Sequence, residues 1–556
     1  MRNKYLLLVL FVCLKLICYS QEVDQLTAIK VSKNYFKKTF ENGVNINGTN
    51  KYIDTDSLDV ISSYLKMYNG HKSYYITNFK GGGWVITSSH KAVGPILAYS
   101  EKDSIKENGM HCSAFLDWMK QYDIKIDSAY ITNKKTDKWS EIVNANNSNK
   151  TKSYNGTDGF YLLDSKWGQA EPNIGSSYTP AYNSLMDGNC FQIPSNYTGK
   201  YLAGCSPVAI GQIMKYWEYS SGDYADFNWW NIKETLNTNS SNFNTESQST
   251  SYLLKQIGIT IGANYYCDGT VALPLFNARN TFAEYGYVNS DMNHNLKALY
   301  SHIIWIIMLK TELNNNRPIQ YNSINHSFVC DGYKYNSNEF HFNFGWNGDS
   351  DGWYNFDEIP TDGLSSFHEC LTGIHPNWQT LINLTNQFLS GPINKTYQAK
   401  EIIAGGDLNH EYSIGPFAKC SFIASQDIIL KPGFWAMAGS TLLVKPFANS
   451  KGTLKSDISN ESESEISQME DYQTPINSEM IVSPNPSKSG IFFIKPNFES
   501  ILNEYTLLDI KGNTIVHEKA VNSKTITINI QNYSKGIYFL RINNNTSTYN
   551  FKLIYQ

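Results

Sequence analysis

Apolar and polar positions follow different periods in successive parts of this chain, and these periods predict its elements. Residues 26–40 (LTAIKVSKNYFKKTF) have helical spacing, the stretches GGWVITSSH and VGPILAYS are typical of strands, and CSAFLDWMKQYD indicates a second helix. The first region therefore predicts a small α+β unit. A polar run, residues 144–159, follows it and predicts an exposed linker that is open to proteolysis.

The central region contains a helix that directly follows a cysteine. In AGCSPVAIGQIMKYW (residues 203–217), Ser206 suits the N-cap, Pro207 suits the first helical position, and apolar residues then recur at helical spacing. Cys205 thus lies at the positive end of a buried helix, where the dipole and unpaired N–H groups favour a thiolate. The helix alone leaves three roles open: a buried structural cysteine, half of a disulfide, or a nucleophile.

A β-meander downstream supplies partners for such a nucleophile. Residues 317–356 predict strands near 319–321, 326–333 and 340–344. Asn343 shares a strand face with His341, and an antiparallel neighbour places Asn343 beside His326, so its amide oxygen can accept the imidazole N–H. His341 is interpreted as a strand histidine bonded to a neighbour. Gln169, in LLDSKWGQAEP, can point its amide N–H at a developing oxyanion.

The last third of the chain alternates apolar and polar residues between glycine turns. YQAKEIIAGGDL and CSFIASQDIILKPGFWAMAGSTLLVKPF predict a small all-β module, and an acidic, serine-rich linker follows it. From residue 475 onwards, five or more short strands separated by Pro, Asn and Gly turns predict a β-sandwich.

Composition places these regions in an exported protein of several domains. A chain of 556 residues exceeds one hydrophobic core, and its start (MRNKYLLLVLFVCLKLICYSQEV) predicts a secretory signal peptide, with no other membrane-spanning helix expected. Two of the nine cysteines leave with the signal, so at least one of the remaining seven stays unpaired. Cys190, Cys267 and Cys330 are interpreted as packing or disulfide residues. A net charge of −4 argues against a nucleic-acid partner.

Four sequence motifs in a fixed order resemble those of the streptopain family of secreted cysteine peptidases, which have a papain-like fold. They are KWGQAEP (166–172), AGCSPVAIGQIMKYW (203–217), NHSFVCDGY (325–333) and FHFNFGWNGDSDGWY (340–354). The amino-terminal unit is similar to that family's inhibitory propeptide. The tail, through SPNPSKSG, LLDIKGNTI and YSKGIYFLRI, resembles the carboxy-terminal sorting domain of the type IX (Por) secretion system. Phe344 stands where the family usually has Trp, INHSF where it usually has GGHAF, and GWNG where it usually has GWGG.

Pattern and resemblance together imply a multidomain fold. The expected parts are a signal peptide (1–20), an α+β inhibitory propeptide (21–150), an α+β papain-like cysteine peptidase domain (158–378), a small all-β module (379–449), an acidic linker (450–474) and a β-sandwich sorting domain (475–556).

The resemblance also implies the activity, a secreted cysteine endopeptidase made as a zymogen. Cys205 is then the nucleophile, His326 the base, Asn343 its orienting group and Gln169 an oxyanion donor, while Trp346 can wall the cleft beside His326. No metal or organic cofactor is expected. The expected partners are protein or peptide substrates, the chain's own propeptide as inhibitor and the type IX machinery, with a final location outside the cell or at its surface via the periplasm. Two alternatives remain open, a transglutaminase-like acyltransferase, which normally orients the histidine with Asp, and an inactive surface adhesin of the same fold.

Overall fold

The computed structural model describes most of the chain outside its amino terminus and the segment before the carboxy-terminal domain. The described residues are 21–41, 44–46, 49–51, 58–107, 111–131, 138–143, 159–170, 181–188, 190–191, 198–221, 227–267, 270–271, 275–323, 326–360, 368–389, 391–405, 411–431, 433–446, 480–483, 487–496, 502–508, 514–519, 526–544 and 548–555. The expected signal peptide, the polar run 144–158 and the acidic linker lie outside these residues. Two compact units comprise 1–295, 306–360 and 368–452 in the first, and 296–305, 361–367 and 453–556 in the second.

The amino-terminal part forms the α+β unit that its periodicity predicts. Its helices are α1 (Gln25–Glu41), α2 (Ser113–Ala129) and α3 (Lys138–Val143). Its strands are β1 (Val44–Ile46), β2 (Thr49–Lys51), β3 (Val60–Tyr68), β4 (His71–Phe79), β5 (Trp84–Ser88) and β6 (Ile96–Ser100). The last four strands pair in antiparallel order, and α1 packs on them through buried apolar residues such as Val31 and Phe36.

The central part adds four helices and a second set of strands. The helices are α4 (Cys205–Trp217), α5 (Phe243–Ile261), α6 (Leu275–Glu284) and α7 (His302–Asn314). The strands are β7 (Gly159–Tyr161), β8 (Cys190–Phe191), β9 (Thr198–Gly199), β10 (Asn264–Tyr265), β11 (Thr270–Val271), β12 (Asn293–Leu296), β13 (Ile319–Asn322), β14 (Ser327–Lys334), β15 (Glu339–Asn343), β16 (Gly352–Asn355) and β17 (Glu369–Thr372). The predicted meander is therefore β13, β14 and β15.

One continuous sheet joins the amino-terminal and central parts. Its eleven strands run β12-β17-β13-β14-β15-β16-β6-β5-β4-β3, with β7 pairing to β14 outside this order. The junction is the antiparallel pair β16 and β6, where Trp353 faces Tyr99 and Tyr354 faces Ala98. The amino-terminal unit therefore extends the central sheet by covering an edge strand, which would otherwise present unpaired N–H and C=O groups.

The helix that begins at Cys205 contacts both a neighbouring helix and strands β13 and β14 of the sheet. Its apolar residues are buried, and it packs against α5 closely enough that a Cβ on Gly211 would lie 2.7 Å from the Leu254 side chain. Glycine at this position therefore permits the close approach of the two helices. Val208, on the same helix, lies against Gly345, which follows β15 and has a φ of +67°.

The small all-β module has parallel strands. The chain alternates between one sheet of β18 (Gln379–Leu384), β20 (Asn394–Ala404), β22 (Lys419–Leu430) and β24 (Thr441–Pro446), and another of β19 (Gln387–Leu389), β21 (Tyr412–Ile414) and β23 (Phe434–Ala436). Every pairing in both sheets is parallel. This winding is that of a short β-solenoid, and its core contains Tyr412, Phe422 and Cys420.

The carboxy-terminal strands form two antiparallel sheets around an apolar core. One sheet is β25 (Met480–Ser483), β26 (Ile491–Pro496) and β29 (Ile526–Asn529), and the other is β28 (Thr514–Lys519), β27 (Leu502–Leu508), β30 (Gly536–Asn544) and β31 (Thr548–Tyr555). Phe492 from the first sheet and Leu540 from the second belong to the same buried cluster. Among the described residues of the whole chain, no helix has the length and apolar content needed to cross a membrane.

Candidate active site

Cys205 is the first residue of its helix, two positions earlier than the predicted cap implies. Gly204 is the N-cap, with φ of +92° and ψ of 145°, and no side chain caps the helix there. The expectation of an N-cap at Ser206 is therefore wrong, because Gly204 adopts a positive φ that other residues rarely adopt and so starts the helix sooner. The thiol consequently lies in the first turn, where backbone N–H groups are unpaired.

Cys205 is half-buried, and protein atoms surround its thiol. Burial raises its pKa above the ordinary value, while the backbone N–H of Ser327 and the hydroxyl and backbone of Ser206 act in the opposite direction. Ser327 directly follows His326 in the chain. The cysteine and histidine singled out from sequence therefore lie next to each other, although the chain separates them by more than a hundred residues.

The imidazole of His326 is buried and has an unusual set of contacts. Its Nδ1 lies 3.0 Å from the hydroxyl oxygen of Ser113, the first residue of α2 in the amino-terminal unit. Its Nε2 is buried without a hydrogen-bond partner among the described residues. Burial lowers the pKa of the His326 imidazole to about 4, and the Phe344 backbone opposes this only in part. His326 is therefore neutral at pH 7, with one ring nitrogen unpaired.

Asn343 lies at the end of β15 and is almost completely buried. Its side-chain oxygen accepts hydrogen bonds from Gln212 Nε2 (3.0 Å) and from the backbone N–H of Gly345 (3.1 Å), and its Nδ2 donates to the carbonyl of Ser165 (2.6 Å). The structure brings Asn343 into the same region as His326, but with α2 docked the imidazole faces Ser113. Among the described residues the expected hydrogen bond from His326 to Asn343 is not formed, because Asn343 Oδ1 accepts from Gln212 and Gly345 instead.

Gln169 and Trp346 lie on two adjoining segments beside the cysteine. The carbonyl of Gln169 accepts from the backbone N–H of Ala203 (2.8 Å), two residues before Cys205, and Gln169 is 6% exposed. Asn347, the neighbour of the half-buried Trp346, donates its backbone N–H to the carbonyl of Trp167 (2.9 Å). All five residues predicted for the site are therefore on elements that meet around the start of α4.

Aromatic side chains surround the histidine and bind the amino-terminal helix. Phe344, which replaces the tryptophan usual in the resembled family, is fully buried and contacts Phe115 of α2 at a centroid distance of 6.3 Å. Trp118 of α2 lies 4.6 Å from Phe342, and it also contacts four further rings, those of Tyr321, Tyr354, Phe356 and His368. Helix α2 therefore fills an aromatic groove beside the catalytic candidates.

Two residues of this region were not found from sequence. Ser113 could not be, because its contact with His326 joins segments 213 residues apart. The sequence does contain an indication of Gln212, because it is a polar residue inside the apolar run PVAIGQIM. A fully buried amide at such a position needs hydrogen-bond partners.

The remaining candidates have ordinary structural roles. His341 Nδ1 lies 2.6 Å from a carboxylate oxygen of the buried Asp331, which fits the interpretation of a strand histidine bonded to a neighbour. Cys267 forms a disulfide, whereas Cys330 is a free, buried thiol. The other free cysteines among the described residues are Cys112, Cys205, Cys370 and Cys420.

Family models match three separate parts of the chain. The Peptidase C10 family model matches residues 177–354, which include Cys205, His326 and Asn343. The chain contains a Peptidase C10 (streptopain family) domain. The Spi protease inhibitor model matches residues 20–126, and the secretion system C-terminal sorting domain model matches residues 482–556. The protein is therefore a cysteine-type endopeptidase with an inhibitor domain, exported through the type IX system, and these sequence predictions are confirmed.

Known proteins similar to this chain include two bacterial relatives and one solved structure. Streptopain of Streptococcus pyogenes is 26% identical over 345 residues, which are 54% of this chain and 80% of that protein. The thiol protease/hemagglutinin PrtT of Porphyromonas gingivalis is 26% identical over 174 residues, 27% of this chain and 20% of that protein. The structure of a Prevotella intermedia prointerpain A fragment superposes with a TM-score of 0.43 at 21% identity, covering 57% of this chain and 100% of that one.

Proposed function

We propose that this streptopain-family zymogen becomes a papain-like endopeptidase that cuts protein or peptide substrates through a thioester on Cys205. The observation that carries the proposal is the start of α4. There the thiol faces the N–H of Ser327, and the adjacent His326 keeps a buried, unpaired Nε2. A buried polar atom without a partner is costly and is typical of a catalytic group whose partner changes during the reaction.

In the proposed reaction His326 takes the proton of Cys205 and the thiolate attacks a peptide carbonyl. The side-chain amide of Gln169 and the Cys205 backbone N–H donate to the oxyanion, which is supported by the backbone bond that holds Gln169 beside Ala203. The imidazolium then gives its proton to the leaving amine, and water hydrolyses the thioester. Asn343 orients the imidazole through its amide oxygen, and Trp346 walls the substrate cleft.

The amino-terminal unit keeps this machinery inactive in three ways, each supported by a contact. Ser113 occupies the His326 Nδ1 position, α2 fills the aromatic groove with Trp118, and β6 covers the β16 edge. Enclosure also raises the pKa of the Cys205 thiol and lowers that of the His326 imidazole, so the uncharged pair is favoured over thiolate and imidazolium. Cleavage within residues 144–159, the polar run between the amino-terminal unit and the central part, would allow the inhibitor to leave.

A thiol-directed epoxide inhibitor tests the proposed nucleophile. After cleavage in the 144–158 run, mass spectrometry should find one epoxide on the tryptic peptide that contains Cys205, and peptidase activity should fall in proportion to labelling. The buried Cys330 is the internal control and should stay unlabelled, since burial raises the pKa of its thiol. A matured chain that leaves Cys205 unlabelled and cuts no peptide would instead indicate an inactive adhesin.

A further inference from the structure

Gln212 occupies a position in helix α4 where an apolar residue is expected. Its side chain is fully buried in a helix whose neighbouring residues Ile210 and Ile213 are also fully buried. Burying an amide costs free energy unless each polar atom is hydrogen-bonded. A glutamine at this position therefore needs an explanation beyond packing.

The Gln212 amide is satisfied by partners from two other elements. Its Oε1 accepts from the Ser165 hydroxyl (3.0 Å) and from the backbone N–H of Trp167 (3.2 Å). Its Nε2 donates to Asn343 Oδ1 (3.0 Å), and Asn343 in turn donates to the Ser165 carbonyl (2.6 Å). Ser165, Gln212 and Asn343 thus form a closed, buried ring of hydrogen bonds.

Each of the three chain segments that form this ring also carries one residue of the proposed reaction. Gln212 lies seven residues, or about two turns and 10 Å, beyond Cys205 on the same helix. Trp167 is two residues before Gln169, and Asn343 closes β15. The ring therefore connects the helix of the nucleophile, the segment of the oxyanion donor and the strand of the orienting amide, while Gln212 itself lies too far along the helix to touch the reacting atoms.

We infer that Gln212 is a positioning residue that holds these three catalytic elements in register. The inference rests on the proposed function, because it assigns meaning to Cys205, Gln169 and Asn343. Loss of the amide removes one of the two donors to Asn343 Oδ1 and unpairs the Trp167 N–H, so both the orienting amide and the oxyanion segment gain freedom. Since a displacement of about 1 Å can cost about a hundredfold in rate, the effect falls on kcat, whereas peptide binding along the cleft changes little.

Two substitutions separate positioning from simple support of the fold. Gln212→Met keeps the length and volume but none of the hydrogen bonds. Gln212→Glu keeps both bonds accepted by the side-chain oxygen, but as a carboxylate it cannot donate to Asn343, and it regains a donor only when protonated. Ile213→Val, a buried change on the same helix, is the matched control for lost stability.

The experiment uses full-length chains that carry the same engineered cleavage site within residues 144–158 and are matured by it. Active sites are counted by epoxide labelling of Cys205, and kcat and KM are measured per labelled site from pH 5 to 8, beside the melting temperature. For Gln212→Met we expect kcat to fall by about 10- to 100-fold with KM nearly unchanged. Ile213→Val should lose thermal stability but keep its kcat. The kcat of Gln212→Glu relative to wild type should rise as the pH falls.

Three results would overturn the inference. A Gln212→Met enzyme that keeps kcat within twofold per labelled site would show that the residue only supports the fold. If Gln212→Met does not fold, Gln212→Glu with wild-type kcat at every pH would lead to the same conclusion. A wild-type chain that neither labels at Cys205 nor cuts peptides would refute the proposed function, and with it the positioning role.

Discussion

Cys205 and His326 both lie in surroundings that disfavour their charged forms. Burial raises the pKa of the thiol and lowers that of the imidazole to about 4, and Ser113 occupies the ring nitrogen Nδ1. An active cysteine peptidase needs these residues to share charge as thiolate and imidazolium. At the scale of single residues, the inhibitor therefore acts on protonation as well as on access to the cleft.

His326 makes docking of α2 depend on pH. In the docked state the imidazole stays neutral down to about pH 4, whereas an exposed ring has an ordinary pKa of 6.5. A lowered histidine pKa means that the undocked state binds more protons, so docking weakens as the pH falls from about 6.5 towards 4. At pH 5 the free energy of docking is less favourable by about 1–2 kcal/mol, taking 1.36 kcal/mol per pKa unit.

Hydrogen exchange of the Ser113–Ala129 helix measures this loss. In the full-length Cys205→Ala chain, which cannot cut itself, we expect protection of α2, corrected for intrinsic exchange, to decrease from pH 7 to pH 5. The same chain with His326→Gln should lose most of this dependence. Burial raises the pKa of Asp123 on α2 to about 6, so protonation of this carboxyl strengthens docking as the pH falls. Both chains contain Asp123, so the difference between them reports on His326 alone. Equal pH dependence in the two chains would contradict the role of His326.

The sequence singles out the residues of the proposed site more readily than it predicts their surroundings. Cys205 and His326 lie in distinctive local sequence motifs, so four short segments are enough to single them out. The predicted start of the helix is two residues too late, because the positive φ of Gly204 outweighs the propensity of Ser206 and Pro207. The contact of Ser113 depends on tertiary packing, which no local pattern contains.

At the scale of elements, helix α2 attaches the amino-terminal unit to the central part through Trp118. Trp118 is fully buried among rings of the catalytic domain, and replacing a buried tryptophan by alanine costs about 3–5 kcal/mol. We expect Trp118→Ala to increase the rate of epoxide labelling of Cys205 in the uncut chain by at least about tenfold, since 1.4 kcal/mol corresponds to a tenfold change in an equilibrium.

Leu116 is the matched control on the same helix, because 52% of its surface is exposed. Leu116→Ala should label within twofold of wild type. After maturation all three enzymes should have the same kcat/KM, since both residues leave with the inhibitor. Slow labelling of the uncut Trp118→Ala chain would indicate that α2 contributes little to inhibition.

The elements themselves follow from hydrophobic periodicity, but their pairing does not. The stretches around Trp84–Ser88 and Ile96–Ser100 were predicted as strands, and both are. That β6 pairs with β16 more than two hundred residues later is a property of the packed molecule. The small all-β module shows the same limit. Alternation of apolar and polar residues predicts its strands, but this alternation is the same in parallel and antiparallel sheets. The parallel, solenoid-like winding therefore could not be predicted.

At the scale of the whole molecule, export and catalysis lie in different parts of the chain. The sorting domain model matches 482–556, far from the C10 match at 177–354. Deleting the chain from about Asn477 should leave kcat/KM of the matured enzyme within about twofold. In the native cell the same deletion should move activity from the medium or cell surface to the periplasmic fraction, because a signal peptide alone takes a protein only across the inner membrane.

The measurement is peptidase activity in fractionated cells, with the full-length chain as control. Undiminished activity outside the cell would refute a sorting role for residues 477–556 in this protein. A large loss of rate in the purified, truncated enzyme would show that the tail supports the catalytic domain, contrary to the separate core around Phe492 and Leu540.

The most direct test of the account is the digestion of a peptide library by two chains that differ only at Cys205. Both carry the same engineered cleavage site within residues 144–158, so that the Cys205→Ala chain is freed from its inhibitor like the wild type, and new peptide termini are read by mass spectrometry. Wild type should produce many new termini, whereas Cys205→Ala should cut at least about a thousandfold more slowly with an unchanged melting temperature within a few degrees. Equal cutting by the two chains, or none by wild type, would contradict the assignment of Cys205 as the nucleophile of a peptidase.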